Sequence, residues 1–358
     1  MDLFELDELF DDNDEEIINF IDGLRSYTVK ERKDHFAECT DKEFYDRFRF
    51  SKNIVRNVIL PAIGHVFQHE HLLQYHEIDP LNQLLITLRF YACGSFYITL
   101  GDFIGIHKTT AGRIIKRVTQ ALLTIRGNYI KFPENEEEKR RVQERFFHVA
   151  QFPGVIGAID CTHVKIQSPG GNNAEVFRNR KGFFSLNVQA ISDSRYVIMD
   201  IVARWPGSCH DSHIFANSLI KRRFEAGEFG ESVLLGDSGY PLLNYLMTPI
   251  GNPQTPAEER YNGAHISSRT VVERTFGIYK RRFPVLSLGL RCKVHFAQEI
   301  IVATAVLHNI AILHKDEIVP PPVDVNNLLE DMEPPQLVAG DRNINFVQQR
   351  YVNYFQQL

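Results

Sequence analysis

Three β-branched runs follow one another after residue 150: VIGAIDCTHVKI from Val155, SLNVQAISD from Ser185 and YVIMDIVARW from Tyr196. A helical stretch from Asp211 to Arg223 comes next, then a fourth run, SVLLGDSG from Ser232, and later a helix from Arg269 to Arg282. Strands joined by short turns predict an antiparallel meander, and a helical crossover then lets the fourth strand lie parallel. The expected product is an α/β unit, a mixed sheet flanked by helices. Before residue 150 the character differs. Apolar residues at helical spacing over 53–68 and 81–93 (Leu81, Leu84, Leu85, Leu88) are broken by Gly and Pro and predict an α-helical N-terminal part.

Ribonuclease-H-like nucleases are built in this order of strands and helices, and the acids fall where such a sheet needs them. Asp160 interrupts an apolar run (Val155, Ile156, Ala158, Ile159) in the first strand. A carboxylate buried there is costly unless something positive sits beside it. Asp237 leaves the fourth strand at Ser238-Gly239, and Glu273 lies on the following helix among Arg269, Arg274, Lys280 and Arg281. Asp211 opens the helix after the third strand, as a capping residue or as a further ligand. Hard oxygen donors without a Cys or His cage point to Mg²⁺ or Mn²⁺, and such ions suit phosphodiester cleavage or strand transfer. His210 and His213 beside Cys209 lack a fourth soft ligand and read as local packing or capping. His163 shares a strand face with residues 161 and 165, not with Asp160.

Basic residues form three sets. The segment 96–121 reads as helix, tight turn, helix, with Thr109 or Thr110 as the cap of a second helix carrying Lys108, Arg113, Lys116 and Arg117. This helix-turn-helix-like outline suits DNA, and its plain alternative is a surface helix in a bundle. Arg178, Arg180 and Lys181, with Lys165, would guide a phosphate backbone or keep a loop soluble. Arg269, Arg274, Lys280 and Arg281 would form a phosphate track beside Glu273. The formal charge of −5 hides this basic character: residues 1–16 hold nine acids and no base, leaving 40 bases against 36 acids in the rest.

IDCTH (159–163), NRKGFFSLNVQA (179–190), WPGSCHDS (205–212), LLGDSGY (234–240) and YNGAHISSRTVVERTFGIYKRRF (261–283) resemble the PIF/Harbinger transposase superfamily in order and content. The resemblance covers about residues 80–313. It implies a DDE-type endonuclease in which Asp160, Asp211, Asp237 and Glu273 bind divalent metal, with Asp160, Asp237 and Glu273 as the catalytic carboxylates. It also implies a DNA substrate, a separate Myb-like partner protein, and residence in the nucleus and also the cytoplasm. Self-association as a homo-oligomer is a further expectation. Two other functions share these blocks: a domesticated DNA-binding or chromatin adaptor that keeps the fold without catalysis, and an active Harbinger-type transposase.

The expected organisation has five parts: an acidic leader with the first helices (1–50), a helical, helix-turn-helix-like domain (51–130), a connecting helix (131–150), the nuclease domain (151–315) and a proline-containing tail (316–358). Pro133 would open the connecting helix over Glu134–Ala150, and the tail would end in a helix from Asp341 to Phe355. Leu3, Phe4, Leu6, Leu9 and Phe10 lie among the leader's acids, as a solvated tail or as an amphipathic helix for a partner. Acids at the N-terminus argue against a secretory signal. Five cysteines without C-x-x-C spacing argue against a disulfide framework or zinc finger and for a reducing compartment. Ile300–Leu313 is short for a membrane span and reads as a buried helix, so no membrane partner is expected.

Overall fold

The computed structural model describes residues 34–67, 78–316 and 345–358. The acidic leader and the Pro-rich stretch at 319–335 lie outside the described residues. Helix α1 (Asp41–Phe48) starts in a Thr40/Glu43 capping box and buries Phe44, Tyr45 and Phe48. The 53–68 stretch is helical from Lys52 to Ile63. Helix α2 (Pro80–Cys93) is capped by Asp79 and ends at Gly94 in a left-handed conformation.

Helices α3 (Tyr97–Ile104) and α4 (Lys108–Thr124) are joined by only three residues. Glycine makes that turn: Gly105 has φ +76°, and a Cβ at Gly101 would stand 2.5 Å from the Ile106 carbonyl oxygen. The cap of α4 is His107, not the expected Thr109 or Thr110, and its Nδ1 accepts from the Thr109 amide at 3.4 Å. The apolar face of α4 (Ala111, Ile114, Ile115, Val118, Leu122) is buried. Helix α5 (Glu136–Ala150) is capped by Asn135, so it begins after the expected Glu134, with three glutamates in its first turn.

The sheet has the order β3-β2-β1-β4-β5. Strands β1 (Val155–Lys165), β2 (Ser185–Ser192) and β3 (Ile198–Pro206) form the expected antiparallel meander. The predicted helix after β3 is two, α6 (Asp211–Ala216) and α7 (Leu219–Glu225), because Ser218 breaks in to cap the second. Strand β4 (Val233–Leu235) lies parallel to β1, as expected, and a two-residue strand β5 (Leu246–Met247) extends the sheet. Helix α8 (Pro256–Arg282) begins 13 residues before the predicted start, at a Thr255/Glu258 capping box with Pro256 in its first turn. This mixed sheet flanked by helices is consistent with a ribonuclease-H-like domain.

Helix α9 (Val294–Leu313) is by length and composition long enough to cross a membrane, but 72% of its apolar window is buried in the protein, packed on α4 and β3. It also clamps the sheet edge: Asn309 accepts from the Ile198 amide (2.8 Å) and donates to the Ile198 and Tyr129 carbonyls. Helix α10 (Phe346–Gln356) starts later than predicted, at the Asn345 cap, and docks Tyr351 and Phe355 on Phe152. One continuous apolar cluster runs from Phe44 through the sheet to Phe355.

Candidate metal centre

Pairing of β1 with β4 stops at Ala158 and Leu235, while β1 with β2 continues past Asp160, which faces Ala190. Asp160 therefore lies in the notch where β4 has turned away. Gly236 permits that turn, since a Cβ there would stand 3.1 to 3.2 Å from Tyr240, Ile159 and Leu246. The chain then brings in Asp237, whose carboxylate accepts from the Gly239 amide at 3.0 Å and so fixes its own loop. From the other side, Asp211 is the first residue of α6, not its cap, which is His210. The Asn187 amide nitrogen on β2 donates to Asp211 (2.9 Å) and to the Cys209 carbonyl (2.8 Å), pinning the carboxylate in place. One oxygen from each of Asp160, Asp211 and Asp237 lies within 4.8 Å of the others.

The positive neighbour demanded by Asp160 is Arg269. Its guanidinium bonds Asp160 at 3.1 Å and Glu273, one helical turn on, at 2.5 Å, with a side chain only 7% exposed. Glu273 thus joins the centre through Arg269 and lies outside the group of three aspartates. One guanidinium shared between two carboxylates does not offset the loss of water. Burial raises Asp160 to about 8, Arg269 works against the rise, and Asp237 adds to it. Burial also holds the thiol of Cys161 and the phenol of Tyr240, which hydrogen-bond to each other beside the aspartates, well above their ordinary values.

These residues fit a divalent cation. The donors are hard carboxylate oxygens from three separate stretches of chain, and the centre is short of positive charge in a way that one such ion would correct. Asp160, Asp211 and Asp237 would hold it. The sequence singled out these acids but gave no role to Asn187, although an Asn in the buried strand SLNVQAIS signals a needed hydrogen bond.

The basic sets are placed unequally. Lys108 and Arg113 are exposed on α4, Lys116 and Arg117 are half-buried, and Arg117 also reaches Gln83. Arg178, Arg180 and Lys181 are exposed, with Arg178 paired to Glu175 and Arg180 on His210 at 2.6 Å. His213 packs against the edge of Trp205, in keeping with local packing rather than metal ligation. Arg274 is exposed and Arg281 half-buried, but Arg269 and Lys280 are interior: Lys280 donates to the His163 carbonyl at 2.9 Å. Two members of the supposed phosphate track therefore hold the protein's own oxygens. Asn262 and His265, whose chemistry the sequence left open, pin the sheet edge: Asn262 bonds both backbone groups of Ile250, and His265 bonds the Met247 carbonyl.

Residues 159–309 match the DDE superfamily endonuclease family. Bovine "Putative nuclease HARBI1" is 40% identical over 250 residues, covering 69% of this chain and 71% of that protein. The human protein of the same name is 39% identical over 241 residues, with 66% and 68% covered. Arabidopsis "Antagonist of like heterochromatin protein 1" is 23% identical over 248 residues, with 64% and 62% covered. No solved structure matches the chain. The chain belongs to the Harbinger-derived nuclease family represented by the HARBI1 proteins.

Proposed function

We propose that the chain is a divalent-metal-dependent DNA endonuclease that hydrolyses phosphodiester bonds at Asp160, Asp237 and Glu273, with Asp211 as a further ligand. Strand transfer from the same centre is part of this reading. The observation that carries it is the convergence of three aspartates from β1, the β4 exit and the start of α6. Mg²⁺ or Mn²⁺ bound there would activate the attacking oxygen and stabilise the leaving one. The protein's own part is to hold the donors. Asn187 orients Asp211, Asp237 is fixed by its own loop, and Arg269 keeps Asp160 and Glu273 on one centre. In this reading the exposed cations of the α3–α4 pair, Lys108 and Arg113, and of the 178–181 loop carry the phosphate backbone, and α4 serves as a groove-entering helix. The DNA substrate makes nuclear residence and a DNA-binding partner part of the same proposal.

Purified protein should nick supercoiled DNA with Mg²⁺ or Mn²⁺ and not with chelator, and Asp160→Ala or Asp237→Ala should abolish nicking. Equal nicking by wild type and both variants would remove the proposal. A second reading, a chromatin adaptor on a nuclease scaffold, is favoured by the name of the Arabidopsis relative. It requires DNA or chromatin binding that persists undiminished in the same two variants, with no cutting by the wild type.

A further inference from the structure

A groove runs between the α2–α3 corner and the turn that follows α8, lined by Gly94, Phe96, Tyr97, Gly289 and Arg291 among others. Its chemistry is unusual for a surface. Phe96 is 59% exposed, Leu288 on the rim beside Gly94 is 57% exposed, and the Arg291 guanidinium lies over the Phe96 ring at 4.5 Å. No acid lines it. Cations approach from two directions. The Lys165 side chain lies against Gly289, where a Cβ would meet it at 3.3 Å. Helix α4 meets Tyr97 at Gly112, where a Cβ would stand 3.1 Å from the ring, and Lys108 and Lys116 lie one helical turn to either side of Gly112.

We infer that this groove is a stacking site for an unpaired base of the DNA strand, with Phe96 as the platform, Arg291 fixing its tilt, and the lysines holding the adjoining phosphates. The inference rests on the nuclease reading and extends it to a substrate feature: DNA with a locally unpaired strand. An exposed ring beside a guanidinium offers the flat apolar face that a base covers, and the surrounding cations match a polyanion. The position also suits a strand leaving the carboxylates. Lys165 is five residues beyond Asp160 on β1, about 17 Å at the rise of a strand, or roughly five base steps of duplex.

The test uses the full chain in Ca²⁺ or chelator, with oligonucleotides carrying 2-aminopurine at successive positions in a single-stranded tail or within a fully paired duplex. Binding should quench the fluorophore at one tail position and at no position of the paired duplex. Phe96→Ala should lose that quench and weaken tailed DNA roughly five- to a hundredfold, with duplex affinity unchanged. Phe96→Trp should restore both, which separates stacking from misfolding. Arg291→Ala should weaken tailed DNA and shift the quench. Unaltered quenching in Phe96→Ala, or an equal loss on tailed and paired DNA, overturns the inference while nicking by the wild type leaves the nuclease reading standing. Loss of self-association or of a protein contact in Phe96→Ala, with DNA binding intact, assigns the groove to a protein and overturns it too. Nicking that survives Asp160→Ala removes the nuclease reading without touching the quench.

Discussion

Removing Arg269 separates two roles for one side chain. A cation on a phosphate track can be deleted at little cost to the fold, whereas a buried counter-ion cannot. Arg269 is 7% exposed and bonds Asp160 and Glu273, whose side chains retain 17% and 23% exposure. Breaking a fully buried pair by deleting one partner costs roughly 3–5 kcal/mol. Both carboxylates here keep some water, and Asp160, raised to about 8, can shed its charge by taking a proton. The expected cost of Arg269→Ala is therefore smaller, about 2–3 kcal/mol, or about 3–4 °C in Tm for a chain of this size. The assay is thermal melting at neutral pH in chelator and again in saturating Mn²⁺. In Mn²⁺ the deficit should shrink, because the ion supplies the charge the guanidinium gave, so the Tm gain on adding metal is larger in the variant than in wild type. Arg269→Lys should recover part of the loss, since one ammonium cannot span both carboxylates in the same fork. A variant that melts within about 1 °C of wild type in chelator, while the salt slope of DNA binding falls by about one, would return Arg269 to the phosphate track and refute the reasoning.

Asp160→Asn removes a carboxylate that burial already pushes toward its neutral form. The variant should melt no lower than wild type in chelator and show no Tm gain with Mn²⁺. His265 and His308 are fully buried and their pKa values are lowered by burial to about 4. Between that value and an unfolded value near 6.5 the unfolded chain binds more protons, so stability is full above about pH 6.5 and falls as pH drops toward 4, by up to about 3 kcal/mol per histidine. Urea midpoints measured across that window should fall steeply for wild type and less steeply for His308→Gln; equal slopes would contradict the assignment. Asn309→Ala leaves the Ile198 amide and carbonyl without their partner and should cost about 2–4 kcal/mol in chelator and in metal alike, read by urea unfolding.

The strands were legible because short β-branched runs such as VIGAI and VQAI, bounded by turn residues, favour burial in a sheet, and the crossover after β3 then left little choice of topology. Asp160 and Asp237 were legible for the converse reason: an acid inside such a run has to be compensated. Some misses had local signals. The start of α8 is written in Thr255-Pro-Ala-Glu258, a capping box with proline in the first turn. Strand β5 had none, because two residues cannot display a period, and it is held from a distance by the His265 bond to Met247.

Arg269 shows why local reading misassigned a cation. On the helix it is one of five bases within 14 residues, and a row of bases beside an acid looks like a surface for phosphate. Its decisive partner, Asp160, is 109 residues away and becomes a neighbour only when α8 packs on β1. The same demand for compensation, applied to neutral polar residues, would have revealed more. Asn187, Asn262 and Asn309 are each buried, where an amide calls for hydrogen-bond partners. An amide carries both a donor and an acceptor, so Asn262 and Asn309 each satisfy the N–H and the C=O of one backbone residue, Ile250 and Ile198. Asn187 spends its donor on Cys209 and Asp211 instead, and that choice turns a structural clamp into part of the carboxylate centre.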